Sequence, residues 1–121
     1  MKKIIIALFS ILTINAWAQK ETVEIKTSAQ CEMCKERIVE EMQFTKGVTA
    51  VSLDVETQML TVTFKTKKNS VENIRTIISG IGYNADDVIA DKKAHDNLPG
   101  CCQNPDFVAP KEELHEGHNH N

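Results

Sequence analysis

Between residues 22 and 90 the apolar positions of this chain switch repeatedly between a spacing of two and a spacing of three to four, and that succession constrains the fold more than any other property. Val23, Ile25 and Thr27 alternate with Thr22, Glu24 and Lys26, as in a strand with one covered face. Ile38, Val39 and Met42 then recur at helical spacing, with Lys35, Glu36, Arg37, Glu40 and Glu41 free to face water. Gly47 breaks that pattern. Val51, Leu53 and Val55 alternate again, a turn is expected at Glu56, Thr57 and Gln58, and Leu60, Val62 and Phe64 complete a hairpin. Asn69 is the expected cap of a second helix, with Glu72 reaching back as in a capping box. Val71, Ile74, Ile77, Ile78 and Ile81 form its apolar stripe, and Gly80 and Gly82 its stop. A last short strand is expected within residues 85–90, weakened by Asp86 and Asp87.

The order strand, helix, strand, strand, helix, strand predicts an α+β chain, a ferredoxin-like βαββαβ sandwich. Its four-stranded antiparallel sheet would carry both helices on one face. The expected core is Val23, Ile25, Ile38, Met42, Val51, Leu53, Leu60, Val62, Ile74, Ile77 and Ile78.

Chemistry concentrates where the first strand gives way to the first helix, at Cys31-Glu32-Met33-Cys34. Cys31 falls in the loop and Cys34 in the first turn, where unpaired backbone N–H groups and the positive end of the helix dipole favour thiolate over thiol. Thiolate is the form that binds metal. Two soft ligands select Cu(I), and also Hg(II), over hard cations. Zn(II) prefers four protein ligands and would need more than this pair. An open two-thiolate site also lets a partner's thiol take the ion away, so the geometry favours transfer over storage.

The N-terminus has the pattern of an export signal: Lys2 and Lys3, an apolar run over residues 4–14, then Ala16-Trp17-Ala18. The run is shorter than the roughly 20 residues of a membrane span. Residues 1–18 are therefore expected to be removed near Ala18, leaving a periplasmic or secreted chain that does not span a membrane. Processing removes two lysines and takes the formal charge from −3 to −5. An acidic chain argues against nucleic acid as a partner. The four cysteines of an exported protein raise a disulfide framework as an alternative, although a Cys31–Cys34 bridge closes so short a loop that it restrains the unfolded chain little.

Residues 19–90 make one domain, and residues 91–121 a Cys- and His-containing extension expected to be largely flexible, its polar end most of all. Cys101 and Cys102 are adjacent, and neighbouring residues strain disulfide geometry. They are candidates to join Cys31 and Cys34 on one ion, or to form a second thiolate site with His95. His115, His118 and His120 have the spacing of an auxiliary metal site, or belong to a solubilising tail.

Residues 21–90 resemble the heavy-metal-associated domain family of small copper chaperones, copper-ATPase metal-binding domains and periplasmic mercury-binding proteins. The resemblance rests on the strand before Cys31, the Cys31-x-x-Cys34 pair opening a helix, Gly47-Val48, Leu60-Thr61-Val62 and Ile81-Gly82-Tyr83. It implies that Cys31 and Cys34 are the metal ligands and that Tyr83 shields the ion from water. An aromatic at Tyr83 is nearer the ATPase domains and mercury-binding proteins than the copper chaperones. The family usually opens its metal loop with Gly-Met-x-Cys, whereas Ser28-Ala29-Gln30-Cys31 stands here, so its buried methionine is missing. Met33 partly replaces that methionine, or lies near the ion as a weak thioether, or faces solvent.

The expectation is a non-enzymatic exported carrier, monomeric or bridged into a dimer by metal. It would take Cu(I), or else Hg(II), through Cys31 and Cys34 and pass it to a metal-transporting ATPase or other resistance protein. Two other classes compete: a thiol-disulfide oxidoreductase with Cys31 as nucleophile, and a structural domain whose cysteines are bridged. The first lacks a Trp before the pair, a Gly-Pro within it and a parallel-sheet order.

Overall fold

A computed structural model describes residues 19–108 of the chain. The export signal and His115, His118 and His120 lie outside the described residues. Strand β1 (Lys20–Lys26), helix α1 (Glu32–Gln43), strands β2 (Val48–Asp54) and β3 (Met59–Lys65) and helix α2 (Val71–Ile81) follow the expected order. A short helix α3 (Lys92–Asp96) and a single 3-10 turn (Gly100–Cys102) come after them.

The sheet is antiparallel with strand order β1-β3-β2. Its register aligns Val23, Val62 and Val51 in one row and Ile25, Leu60 and Leu53 in the next. These rows form the covered face, because side chains two apart on a strand share a side. They join Ile38 and Met42 of α1 and Ile74 and Ile78 of α2 in one hydrophobic cluster, so both helices lie over that face. Of the expected core, Val23, Val51 and Ile77 are only partly buried at its margin. Phe64, Ala29, Cys34, Tyr83, Ala85, Leu98 and Cys102 belong to the core as well.

Each boundary has a local cause. The β2–β3 turn is held by Asp54, whose Oδ1 accepts from the Glu56 N–H at 2.9 Å. Gly47, at φ +84°, stands where a Cβ would lie 2.8 Å from the Lys68 Cβ, and only glycine fits. Helix α2 is capped by Ser70, not Asn69: the Ser70 hydroxyl accepts from the Asn73 N–H at 3.2 Å. Asn69 instead bridges, donating from Nδ2 to the Lys46 carbonyl and accepting from the Ser70 N–H, both at 2.8 Å. The helix ends at Gly82, φ +115°, with Gly82 N–H on Ser79 O and Tyr83 N–H on Ile78 O, the paired bonds of a Schellman motif.

The fourth strand expected in residues 85–90 does not form. Ala85 and Val88 exchange both backbone hydrogen bonds with each other at 2.9 Å, and Asp86 between them takes φ +52°. The donors a fourth strand would give to β1 are thereby consumed in a tight turn. Contact with β1 is reduced to a Thr27–Ala85 bridge and to Asp86, whose N–H meets the Lys26 carbonyl and whose Oδ1 accepts the Lys26 N–H. Asp86 also pairs with Arg75 at 2.9 Å.

The extension, expected to be largely flexible, is folded against the domain as far as the description reaches. Asp91 caps α3 by accepting the Ala94 N–H at 3.0 Å, and its own N–H is held by the Ser79 carbonyl. Helix α3 lies directly on Gly82, where a Cβ would stand 3.0 Å from the backbone of Ala94 and His95. Leu98 and Cys102 then enter the core.

Candidate metal centre

Cys31 is the N-cap of α1, in extended conformation and with no side-chain capping bond. Its sulfur lies 3.1 Å from that of Cys34 one turn on. Cys34, Ile38 and Met42 form the buried stripe of α1, so the same periodicity that seats the helix also sinks the Cys34 thiol into the protein. Cys31 stays partly exposed. All four cysteines are free thiols.

The loop before the helix is fixed from several sides. Ala29, where the family's methionine is expected, is fully buried. Its N–H is bound by Thr27 Oγ1 and its carbonyl accepts from Gln58 Nε2 at 3.0 Å. Ser28 Oγ accepts the Asn84 N–H at 2.9 Å and so ties the metal loop to the loop after α2. Gln30 donates from Nε2 to the carbonyls of Cys101 and Gln103, at 3.1 and 2.8 Å.

Those bonds bring the extension's cysteines to the pair. Cys102 Sγ stands 3.7 Å from Cys31 Sγ and 3.8 Å from Cys101 Sγ. Cys31, Cys101 and Cys102 present sulfurs all within 4.8 Å of one another. Met33 is half exposed, its thioether 3.9 Å from the Cys101 sulfur. His95 is not drawn in. It is buried beside Phe107, ring centroids 3.9 Å apart, with Nε2 accepting the Asn104 N–H at 3.0 Å and Nδ1 facing Asp96. Both ring nitrogens are spent on the extension's own fold.

Tyr83 is fully buried under the pair, its hydroxyl 3.2 Å from Arg37 Nη1 and hydrogen-bonded to Cys34. Burial drives its phenol far above the ordinary range, so it remains a neutral donor. Arg37 Nη1 also reaches Cys102 Sγ at 3.6 Å. Arg37 reads as solvent-facing from its charge alone; the signal for its inward turn is its place one turn after Cys34 on the same helix face.

The thiols are consequently unequal. Burial pushes Cys34 upward, but hydrogen bonds from the Gln30 backbone, Tyr83 and Cys31 outweigh it and hold Cys34 below the usual thiol value. Cys31 is raised, first because it donates to Cys34 and then by burial. Cys102 is raised by burial and by its contact with Cys34. Of the three, Cys34 is therefore the thiol most ready to give up its proton, at the inner wall of the site.

Known proteins share this frame. Oxidized MerP from Ralstonia metallidurans CH34 is similar at TM-score 0.54 and 25% identity, over 56% of this chain and 96% of that one. A CopZ metallochaperone has the same fold at TM-score 0.52 and 20% identity, over 54% and 98%. So has the mercury-bound form of MerP, the periplasmic protein of a bacterial mercury detoxification system, at TM-score 0.50 and 23% identity, over 56% and 96%. No curated protein sequence matches the chain. The heavy-metal-associated domain model matches residues 24–84, which hold Cys31, Cys34 and Tyr83 but end before Cys101. This chain belongs to the heavy-metal-associated domain family.

Proposed function

We propose that this protein is an exported, non-enzymatic carrier that captures one soft metal ion, Cu(I) foremost, through Cys31 and Cys34 and delivers it to a metal-transporting ATPase or other resistance protein. The observation that carries the reading is the pair of sulfurs 3.1 Å apart at an uncapped helix start, one buried and one reaching solvent. The buried thiolate holds the ion while the exposed one is open to an incoming ligand. Soft thiolates select Cu(I) and Hg(II), whereas calcium and magnesium need hard oxygen ligands in numbers that a cysteine pair does not supply. Hg(II) is the second reading, favoured by the likeness to MerP. The pattern of residues 1–18 supports a periplasmic or secreted location. Among the described residues no helix is long and apolar enough to cross a membrane.

The test is competition between the reduced mature protein and a chromophoric Cu(I) chelator, repeated with Hg(II). One Cu(I) per chain is expected, lost in the C31S/C34S double variant because a hydroxyl stays protonated and is a harder ligand. Retained affinity in that variant would remove Cys31 and Cys34 from the site. Tighter holding of Hg(II) than of Cu(I), each measured against its own competitor, would favour the second reading.

A further inference from the structure

Five sulfur atoms of this protein form a ladder that begins in solvent and ends in the core. Met33 Sδ is 3.9 Å from Cys101 Sγ, Cys101 Sγ is 3.8 Å from Cys102 Sγ, Cys102 Sγ is 3.7 Å from Cys31 Sγ, and Cys31 Sγ is 3.1 Å from Cys34 Sγ. Its outer end is open and its inner end closed: Met33 and Cys101 are exposed, Cys102 and Cys34 are completely buried, and Cys31, between those two, is partly covered. We propose that the extension completes the metal centre, with Cys102 as a third thiolate beside Cys31 and Cys34 on one soft ion, and with Cys101 and Met33 as an outer sulfur pair through which that ion enters and leaves. This rests on the reading of Cys31 and Cys34 as the capturing pair.

Spacing supports the third thiolate. Around an ion with metal–sulfur bonds of about 2.3 Å, three thiolates in a plane stand about 4.0 Å apart, whereas two opposed thiolates stand about 4.6 Å apart. The Cys31–Cys102 separation of 3.7 Å is within a few tenths of an ångström of the first arrangement. The Cys31–Cys34 separation of 3.1 Å must widen in either case, by less for three ligands than for two.

The extension is also built to deliver Cys102 and not merely to pass nearby. Asp91 caps α3, Gly82 admits it, Leu98 anchors it in the core and Gln30 grips the carbonyls on either side of Cys102. His95 fastens the following turn through Asn104 and Phe107. A monovalent ion on three thiolates carries two net negative charges, and Arg37, 3.6 Å from Cys102 Sγ, supplies a compensating positive one.

Transfer along the ladder is ligand exchange without change of oxidation state. As the ion moves inward, its bonds to the Cys101 thiolate and the Met33 thioether break while bonds to Cys31, Cys102 and Cys34 form. The inner thiols release their protons to water and Cys101 regains one. Delivery runs the same steps backwards, with a partner's thiolate replacing Cys101.

The experiment uses the full mature chain, reduced and loaded with Cu(I) alone. X-ray absorption at the copper edge should show three sulfurs in the wild type. Cys102→Ser should show two, and should lose the ion to a chelator at least about tenfold more readily, because a ligand held in place acts at high effective concentration. Cys101→Ser and Met33→Leu should keep three sulfurs and one ion per chain while slowing both loading and release severalfold. A two-sulfur wild-type spectrum, or two ions per chain, overturns the third thiolate without any variant having to fold. Unchanged exchange rates in Cys101→Ser and Met33→Leu overturn the outer pair. If C31S/C34S abolishes binding while C102S does not weaken it, the capturing pair stands and this proposal falls.

Discussion

Replacing Gly82 by alanine tests the seating of the extension most directly, because that residue is both a helix stop and a floor. At φ +115° a side chain meets its own backbone, a cost of about 1–2 kcal/mol for a left-handed residue. The added Cβ would also stand 3.0 Å from three backbone atoms, the Ala94 carbonyl carbon and oxygen and the His95 nitrogen. Backbone held by the Asp91 cap cannot rotate aside as a long side chain does, so α3 must lift by some tenths of an ångström or detach. Together the expected loss is about 2–3 kcal/mol, within the range of strongly felt single substitutions. For a domain this small, with a urea slope of about 1 kcal/mol per molar, the unfolding midpoint should fall by roughly 2–3 M. The second readout is labelling of Cys102 by a thiol reagent, resolved by peptide mass spectrometry under native conditions. Cys102 is completely buried in the wild type and should become reactive in Gly82→Ala. A stability loss below about 1 kcal/mol with Cys102 still protected would refute the seating of α3 on Gly82.

Tyr83→Phe removes the hydroxyl that bonds Arg37 and Cys34. That hydroxyl lowers the Cys34 pKa, so its loss should move thiolate formation to higher pH and slow metal uptake near neutrality; an unchanged thiolate absorbance titration would contradict this. Ser70→Ala should cost about 1 kcal/mol in urea unfolding by removing the α2 cap, with metal binding untouched, whereas a negligible loss would return the capping role to Asn69.

The elements legible in the sequence were those whose signal is periodic. The stripes Val23/Ile25, Leu60/Val62/Phe64 and Ile74/Ile78 each repeat often enough to define a face, and each face packs into the core, with Val23 only partly buried at its margin. Local competition was less legible. Ser70 and Asn69 are both good caps one residue apart, and the choice fell to Ser70 because Asn69 is engaged by the distant Lys46 carbonyl. The expected fourth strand failed for a related reason: Ala85 and Val88 satisfy each other, and Asp86 tolerates the left-handed conformation that the turn demands. The placement of the extension had the weakest signal. A polar stretch ending in histidines reads as unfolded, and its anchors are single residues, Leu98, Cys102 and His95, that form no repeat. Within the site, the Cys31/Cys34 pair was visible from spacing, but the approach of Cys101 and Cys102 depends on Gln30, whose role exists only once the two segments meet.

The turn that displaces the fourth strand has a consequence for how molecules of this protein meet each other. Strand β1 pairs with β3 on one side, and along its other side it is met chiefly at its end, by Ala85 and Asp86. Such a margin invites a second chain to add itself. The residues of β1 discourage it. Lys20-Glu21-Thr22-Val23-Glu24-Ile25-Lys26 carries a lysine at each end, equally far from Val23, so antiparallel self-pairing centred there sets Lys20 against Lys26 at both ends. In-register parallel pairing sets every lysine on a lysine and every glutamate on a glutamate. Strands in a sheet lie about 4.8 Å apart, inside the screening length of about 8 Å at physiological ionic strength, so this repulsion is only partly screened there. It fades toward molar salt, where that length falls to about 3 Å. At this margin charge opposes the pairing of two molecules, in a place where a complete sheet would have used a strand.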